Sequence, residues 1–347
     1  MRRYGWTIGG VMAGCLLAGC SALPGLAGKA SPPASPRAST TATPAASDAP
    51  VAARAVTDQE AAAILADYVK RNNAANKARS AELLAGYEGG SSFTIDKAAY
   101  TSSRRLGKTV TYQPFGYTRP AFHVPAAGRQ PWFLATAHWR RGTTTAKEPT
   151  YLLFARQGDG WRQMYSPDAF DGTTADDLPE IAVGASGLAT EVAPTDSTGL
   201  LMSPADFAEK YAAHLAGKGG AADKSLFAAD RITTQAASTR IRMNQYAHST
   251  ATARPAGRYP SYTLRTADGG ALTFTTIERT LRYDVRPGPE RNYVFQKDSG
   301  ILRGKYYTYM TVTDLFQVVA RIPPKKAGPD QVKVIASYSG LVAGDGR

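Results

Sequence analysis

Only two cysteines occur in this chain, Cys15 and Cys20, and both fall within its first twenty residues. Everything after them must hold its shape with no disulfide staple and no thiolate-bound metal. Such a chain has to bury a hydrophobic core large enough to offset the entropy lost on folding. The roughly 290 residues beyond position 55 suffice for two ordinary cores.

The same cysteines mark where the mature chain begins. Arg2 and Arg3 precede an apolar run from Trp6 to Ala18, shorter than the roughly 20 apolar residues that a bilayer span needs and typical of a secretory signal. The run closes on Leu17-Ala18-Gly19-Cys20, which resembles the bacterial lipobox. That resemblance implies removal of residues 1–19 as a signal peptide and attachment of a diacylglycerol to Cys20. Met12-Ala13-Gly14-Cys15 is a second, partial match, but cleavage there leaves an apolar region at the bottom of the usual span of about 7–15 residues. Residues 20–55 follow as the lipidated cysteine and a tether, "KASPPASPRASTTATPAASDAP", with almost nothing aromatic to bury. Its composition predicts disorder and a reach of roughly 30–35 Å, enough to lift a folded body off a membrane.

The formal charge of the whole chain is +13, and loss of Arg2 and Arg3 with the signal leaves 13 − 2 = +11. That balance favours polyanionic partners. Outside a bacterial cell these are anionic lipid heads and wall polymers, so nucleic acid is not the expected partner. The basic residues are scattered, with pairs at Arg104-Arg105, Arg140-Arg141 and Lys325-Lys326 and no long block.

Beyond the tether the chain reads as two halves built on one plan. Thr57-Asp58-Gln59-Glu60 has the capping-box pattern, and Ile64, Leu65, Tyr68 and Val69 continue it at helical spacing toward Leu83-Leu84, with Gly86 as a stop. In the second half Ser203 caps a helix with Pro204 at its first position, and Phe207, Tyr211 and Leu215 give its apolar face. Period-two segments follow each helix: "WFLATAHWRR" and "YLLFARQGDGWRQMY" in one half, "LTFTTIERTLRY" and "LFQVVARIPPKKAGPDQVKVIASYSG" in the other. The expected fold class is α+β, two tandem units of a helix on a curved antiparallel sheet, at 56–166 and 203–347, with 167–202 as an inter-domain connection whose "EIAVGASGLATEV" supplies an extra strand. In element order each half resembles the NTF2-like and cystatin-like folds. The whole chain resembles uncharacterised secreted lipoproteins of high-GC Gram-positive bacteria of the Streptomyces kind, on its lipobox, its "SPPASPRASTTATPAAS" tether and the strands in "EPTYLLFARQGDGWRQM" and "RPGPERNYVFQKDSG". The resemblance implies a location and a shape, and carries no reaction.

Catalytic patterns are sparse. The alternation in "PWFLATAHWRR" puts His138 and Arg140 on one strand face and Trp139 and Arg141 on the other. If one face lines a pocket, His138 is the candidate general base, without an acidic partner identifiable by spacing. His123, His214 and His248 share no i,i+4 pairing, so no zinc site is expected. Asp168, Asp171, Asp176, Asp177 and Glu180 form an acidic stretch that misses the EF-hand pattern. Gly107-Lys108-Thr109 lacks the earlier glycine of a P-loop. No GxSxG, HExxH or GxGxxG occurs. The densest aromatic stretch, "RGKYYTYMTVTDLF", offers Tyr306, Tyr307 and Tyr309 beside Arg303 and Lys305, with Tyr293 and Phe295 upstream, as a surface for sugar rings or a protein. The reading these features support is a lipid-anchored module on the extracytoplasmic face of the cell membrane. It is expected to bind an anionic envelope polymer, a lipid or an envelope protein through His138, Trp139, Arg140 or the tyrosine stretch, with no metal and no cofactor. A pocket enzyme of isomerase or hydrolase type and a purely structural spacer are the alternatives.

Overall fold

The computed structural model describes residues 53–107, 112–128, 130–173, 178–288, 292–297, 299–326 and 330–347. The signal segment, Cys20 and the tether up to residue 52 lie outside them, as do Lys108, Thr109, Asp176 and Asp177.

Local chemistry sets both helix starts as the sequence suggests. The hydroxyl of Thr57 accepts from the Glu60 amide at 3.2 Å while the Glu60 carboxylate accepts from the Thr57 amide at 2.7 Å, and α1 runs Asp58–Ala78. Its Ala61, Leu65, Tyr68, Asn72 and Ala75 are buried at helical spacing. Here the expectation of one helix reaching Gly86 fails. Arg79 adopts φ 51°, which ends α1, and Gly86 instead caps a separate short helix, α2 (Ala81–Ala85). A third helix, α3 (Gly90–Arg105), follows. In the second half Ser203 accepts from the Asp206 amide at 3.1 Å to start α4 (Pro204–Leu215), then come α5 (Ala221–Ser225) and α6 (Arg231–Met243).

The strands are β1 (Gly116–His123), β2 (Trp132–Arg141), β3 (Thr144–Thr145), β4 (Thr150–Gln157), β5 (Gly160–Tyr165), β6 (Asp168–Ala169), β7 (Ala247–Pro255), β8 (Tyr262–Arg265), β9 (Ala271–Val285), β10 (Tyr309–Ile322) and β11 (Lys333–Gly346). The β4–β5 hairpin closes through the Gln157–Gly160 pair, with Gly158 at φ 60° in its two-residue turn, a conformation that glycine adopts without strain.

The expectation of two tandem sheets is corrected by the pairing. All eleven strands belong to one sheet, ordered β1-β2-β4-β6-β11-β10-β9-β7, with β3 on β2, β5 on β4 and β8 on β9. The join is the two-residue strand β6. Asp168 pairs with Thr150 of β4 and with Ser337 of β11, and Ala169 pairs with Ala336. The class remains α+β, helices on an antiparallel sheet.

Face alternation then builds four layers. The Phe133, Ala135, Leu152 and Phe154 face of β2 and β4 packs under α1. The Phe316, Val318, Ala320 and Ile322 face of β10 packs under α4. The opposite faces meet each other, with Trp132, Leu134, Tyr151 and Leu153 against Tyr262, Leu264, Phe274 and Val319 in a shared core. Trp132 lies 5.0 Å from Tyr262, and Tyr151 lies 6.1 Å from Phe274, centroid to centroid. The connection at 167–202 is part of this seam. Ile181 and Glu191 bridge to Thr266 and Leu264 beside β8, and Ile181 and Ala189 are buried in the shared core.

A buried polar node closes the seam. Fully buried Gln317 of β10 donates to Ser91 and Ser92 of α3 and to the Met164 carbonyl, each at 2.9 Å, and accepts from the Ser166 amide at 2.9 Å. Helix α3 thus belongs to the first half by sequence and packs on both halves, on α2 and β5 of the first and on β11 and β10 of the second.

Candidate functional site

A cleft of about 320 Å³ opens between α1 and the β4–β5 hairpin. Helical spacing brings Ile64, Asp67, Tyr68 and Arg71 to it from α1, the hairpin supplies Phe154, Trp161 and Arg162, and Tyr87 enters from the segment after α2. Tyr68, Tyr87 and Phe154 form a floor of which only edges are open, while Trp161 and Ile64 are half-buried walls. The floor is edge-to-face. Tyr68 lies 5.7 Å from Tyr87 and 5.5 Å from Phe154, and Phe133 beneath stacks on Phe154 at 5.0 Å and meets Trp161 at 5.3 Å.

Two guanidinium groups flank this apolar floor. Arg71 stands 5.7 Å from the centre of the Tyr87 ring, donates to the Gly86 carbonyl at 2.8 Å and pairs with Asp67 at 3.3 Å. Gly86 leaves room for this approach: a Cβ there would lie 2.7 Å from an Arg71 terminal nitrogen, and the guanidinium would have to shift. Arg162 donates to the Trp161 carbonyl at 3.2 Å.

Beneath the floor lies an acid pair, Glu88 buried and Asp96 half-buried. Asn72 donates to the Tyr68 hydroxyl at 3.1 Å and to Oε1 of Glu88 at 3.2 Å. Glu88 is 3% exposed, and its Oε2 receives no donor. The Asp96 carboxyl lies against it and accepts from the Tyr338 hydroxyl of β11. Two carboxylates facing each other in this way are both acceptors, and one shared proton reconciles them. Burial and the Asp96 charge push Glu88 well above the usual carboxylate range. Burial likewise raises Asp96 to about 6, against the hydrogen bonds from Tyr338 and Glu88.

The residues singled out from sequence fall elsewhere and do not form one site. His138 is half-buried near the end of β2, and its Nδ1 lies 3.1 Å from the Ala146 carbonyl. Trp139 points to the other sheet face and carries Arg141 over its ring at 4.8 Å. Arg140 is exposed. Tyr309 begins β10, which three strands separate from β2 in the sheet order. Its hydroxyl donates to Asp345 at 3.0 Å and Arg282 lies over its ring at 4.3 Å. Tyr306 and Tyr307 precede the strand and so do not share its alternation; Tyr306 donates to the Arg303 carbonyl at 3.1 Å, and Tyr307 stands 5.8 Å from Tyr293. In the acidic stretch Asp168 accepts from Thr150 at 2.5 Å and Asp171 faces Arg231 at 3.7 Å. His214 stacks on Phe227 at 5.2 Å, and burial lowers its pKa, as it does that of His123. Among the described residues no three His, Cys, Asp or Glu side chains converge on a metal position.

The cleft combines residues the sequence analysis used only as packing. Tyr68 counts there as one apolar position of a helix, and Trp161-Arg162 as the strand after a turn. The signal available was the pairing of aromatic and arginine at 68/71 and again at 161/162, which has no meaning until α1 is laid beside the hairpin.

Residues 52–346 match the family described as a domain of unknown function, DUF8094. An uncharacterized lipoprotein of Streptomyces coelicolor is 28% identical over 303 residues, covering 84% of this chain and 86% of its own. An uncharacterized lipoprotein of Streptomyces avermitilis is 25% identical over 305 residues, covering 84% of this chain and 87% of its own. The expected likeness to Streptomyces lipoproteins is therefore met. No solved structure matches the chain, and the likeness of its halves to NTF2-like or cystatin-like folds gains no support.

Proposed function

The chain belongs to the DUF8094 family, and on that premise we propose that it is a lipid-anchored protein of the cell envelope whose folded body binds a ring-bearing ligand in the cleft between α1 and the β4–β5 hairpin. The anchor is Cys20 and the body sits on the extracytoplasmic face, as the signal sequence and the names of the Streptomyces relatives suggest. The ligand is a segment of a wall polymer. The observation that carries this reading is the cleft itself. Its size lies at the lower end of the range for ligand sites, room for a unit of one or two rings, with half-open Trp161 as a stacking wall and two guanidinium groups to orient polar substituents. Binding rather than conversion is favoured by what surrounds it. Hydrolysis of a glycan takes two carboxyl groups flanking the bond, and the lining among the described residues supplies one, Asp67, already paired with Arg71; His138 lies on the other face of the β2 sheet.

Soluble glycan fragments released from cell wall by a muramidase provide the test. Titrated into the protein, they should quench tryptophan emission and give a saturable heat by calorimetry. Trp161→Ala should weaken that binding on the order of tenfold, the scale for removing one stacking aromatic, at unchanged circular dichroism. Equal affinity in Trp161→Ala, or no saturable binding by the unaltered protein, would count against the cleft as the binding seat.

A further inference from the structure

We propose that the cleft selects sugar rings bearing an anionic group, and that the charge of the Glu88–Asp96 pair beneath its floor sets how tightly the anion is held. This inference rests on the binding reading above and adds a ligand class and a regulator to it.

The anion preference follows from the rim. Arg71 and Arg162 approach the cleft from opposite walls, and the one lining carboxylate, Asp67, is already engaged by Arg71. Neither guanidinium spends its whole fork on a protein partner, so each keeps donors for a carboxylate, sulfate or phosphate.

The proton dependence follows from what lies under the floor. A single relay joins the two levels: the Tyr68 hydroxyl bonds Asn72, and Asn72 bonds Glu88. Tyr87, another floor residue, is the chain neighbour of Glu88. A negative charge on the acid pair acts on the cleft through buried rings, where the effective dielectric is low and few counterions reach. Glu88, the higher of the two, keeps its proton, and the proton that leaves as pH rises is the one on Asp96: with it in place the pair is neutral and the two arginines dominate; with it gone, one carboxylate opposes the incoming anion. The other groups facing the pair leave it as the element that changes. Tyr68 from α1, Tyr87, Tyr100 from α3, Tyr117 from β1 and Tyr338 from β11 are all raised by burial and stay neutral near pH 7. Asp168 of β6 is the remaining carboxyl in range, also raised by burial and held by Thr150. The Asp96 value of about 6 places the change between mildly acidic and neutral surroundings.

The experiment is calorimetric binding of three probes to the full detergent-solubilised protein at pH 5.0 and pH 7.5: a glucuronate trisaccharide, glucose 6-sulfate as a tetrahedral anion, and neutral maltotriose. Both anions keep their charge across this interval. The expected result is tighter binding of an anionic probe than of maltotriose, by roughly five- to tenfold more at pH 5.0 than at pH 7.5, the effect of about one charge at this depth. The two anions show whether a planar or a tetrahedral group is preferred. Asp96→Asn leaves protonated Glu88 beside a neutral amide, so at pH 7.5 it should bind as the unaltered protein does at pH 5.0, whereas Glu88→Gln, which keeps the Asp96 carboxyl, should keep the pH dependence. Should Asp96→Asn fail to fold, Tyr338→Phe, which removes a bond that favours the Asp96 charge, should move the change to higher pH. Arg71→Gln with Arg162→Gln should remove the preference for anions. Equal affinity for maltotriose, or no binding of any probe, overturns the anion class, while the muramidase-fragment assay with Trp161→Ala still judges the cleft independently. A pH dependence that is absent from the unaltered protein, or that survives in Asp96→Asn, overturns the role of the acid pair.

Discussion

Glu88 and Asp96 make the stability of the fold depend on pH in a fixed direction. Both carboxyls titrate higher in the folded chain than when solvated, so the folded state binds the proton more strongly. Their contribution is fully present below the unfolded values near 4 and is lost as pH rises through the folded value of about 6 for Asp96. Other carboxylates slope the opposite way at lower pH, among them Asp268, lowered to about 2 by bonds from Thr266, Arg321 and the Gly270 amide. The difference between the unaltered protein and Glu88→Gln isolates the Glu88 member of the pair. Urea denaturation from pH 4 to 7.5 should show the unaltered protein losing about 1–3 kcal/mol relative to the variant; parallel profiles would mean the pair is not titrating there. None of this is legible in sequence. Glu88 and Asp96 are eight positions apart across a turn, and Tyr338 is 242 residues from Asp96. The caps at Thr57 and Ser203, by contrast, need only three residues of spacing, and they are read correctly. The alternation of β2 also correctly separates His138 from Trp139, but it cannot say that the His138 ring spends a nitrogen on the Ala146 carbonyl.

Helix α3 is the element on which the architecture turns. Its Ile95 lies against the backbone of β11 at Gly340, where an added Cβ would stand 2.8 Å from the Ile95 Cγ2. Gly340→Ala should therefore destabilise by about 1–3 kcal/mol in urea melts, through overpacking. Combining it with Ile95→Ala should recover part of that loss; a Gly340→Ala protein as stable as the unaltered one would mean that α3 does not seat on β11. The sequence "GSSFTIDKAAYTSSRR" hides this helix because glycine, serine and threonine fill positions that periodicity scans for apolar groups. Ser91 and Ser92 are buried there to satisfy Gln317, not despite it. Helix α6, with its β-branched and polar residues, escapes notice for the same reason. The strands are legible because a half-buried sheet imposes period two on every residue. The join between half-sheets is not, since β6 contributes only Asp168 and Ala169.

For the whole molecule the shared core decides how the chain unfolds. Trp132, Tyr151, Tyr262 and Phe274 are each buried only while both half-sheets are present. Chemical denaturation of the body should give one transition, coincident by tryptophan fluorescence and far-ultraviolet circular dichroism, and a fragment of residues 203–347 alone should not fold cooperatively. Two separated transitions, or a stable fragment, would restore the tandem-unit picture suggested by the repeated helix-then-meander order. That repeat was visible because it is local; the face-to-face packing was not, because nothing along a strand announces which neighbour will cover it. The N-terminal entry into the body carries one more consequence. Between residue 53 and α1 the chain is held by the Arg54–Ala126 bridge, by the Ala127 amide donating to the Ala53 carbonyl at 2.8 Å and by the buried Val56. Mechanical tension along a tethered chain would thus reach the helix that forms one wall of the cleft before any other helix or strand, and load and ligand would meet on the same element.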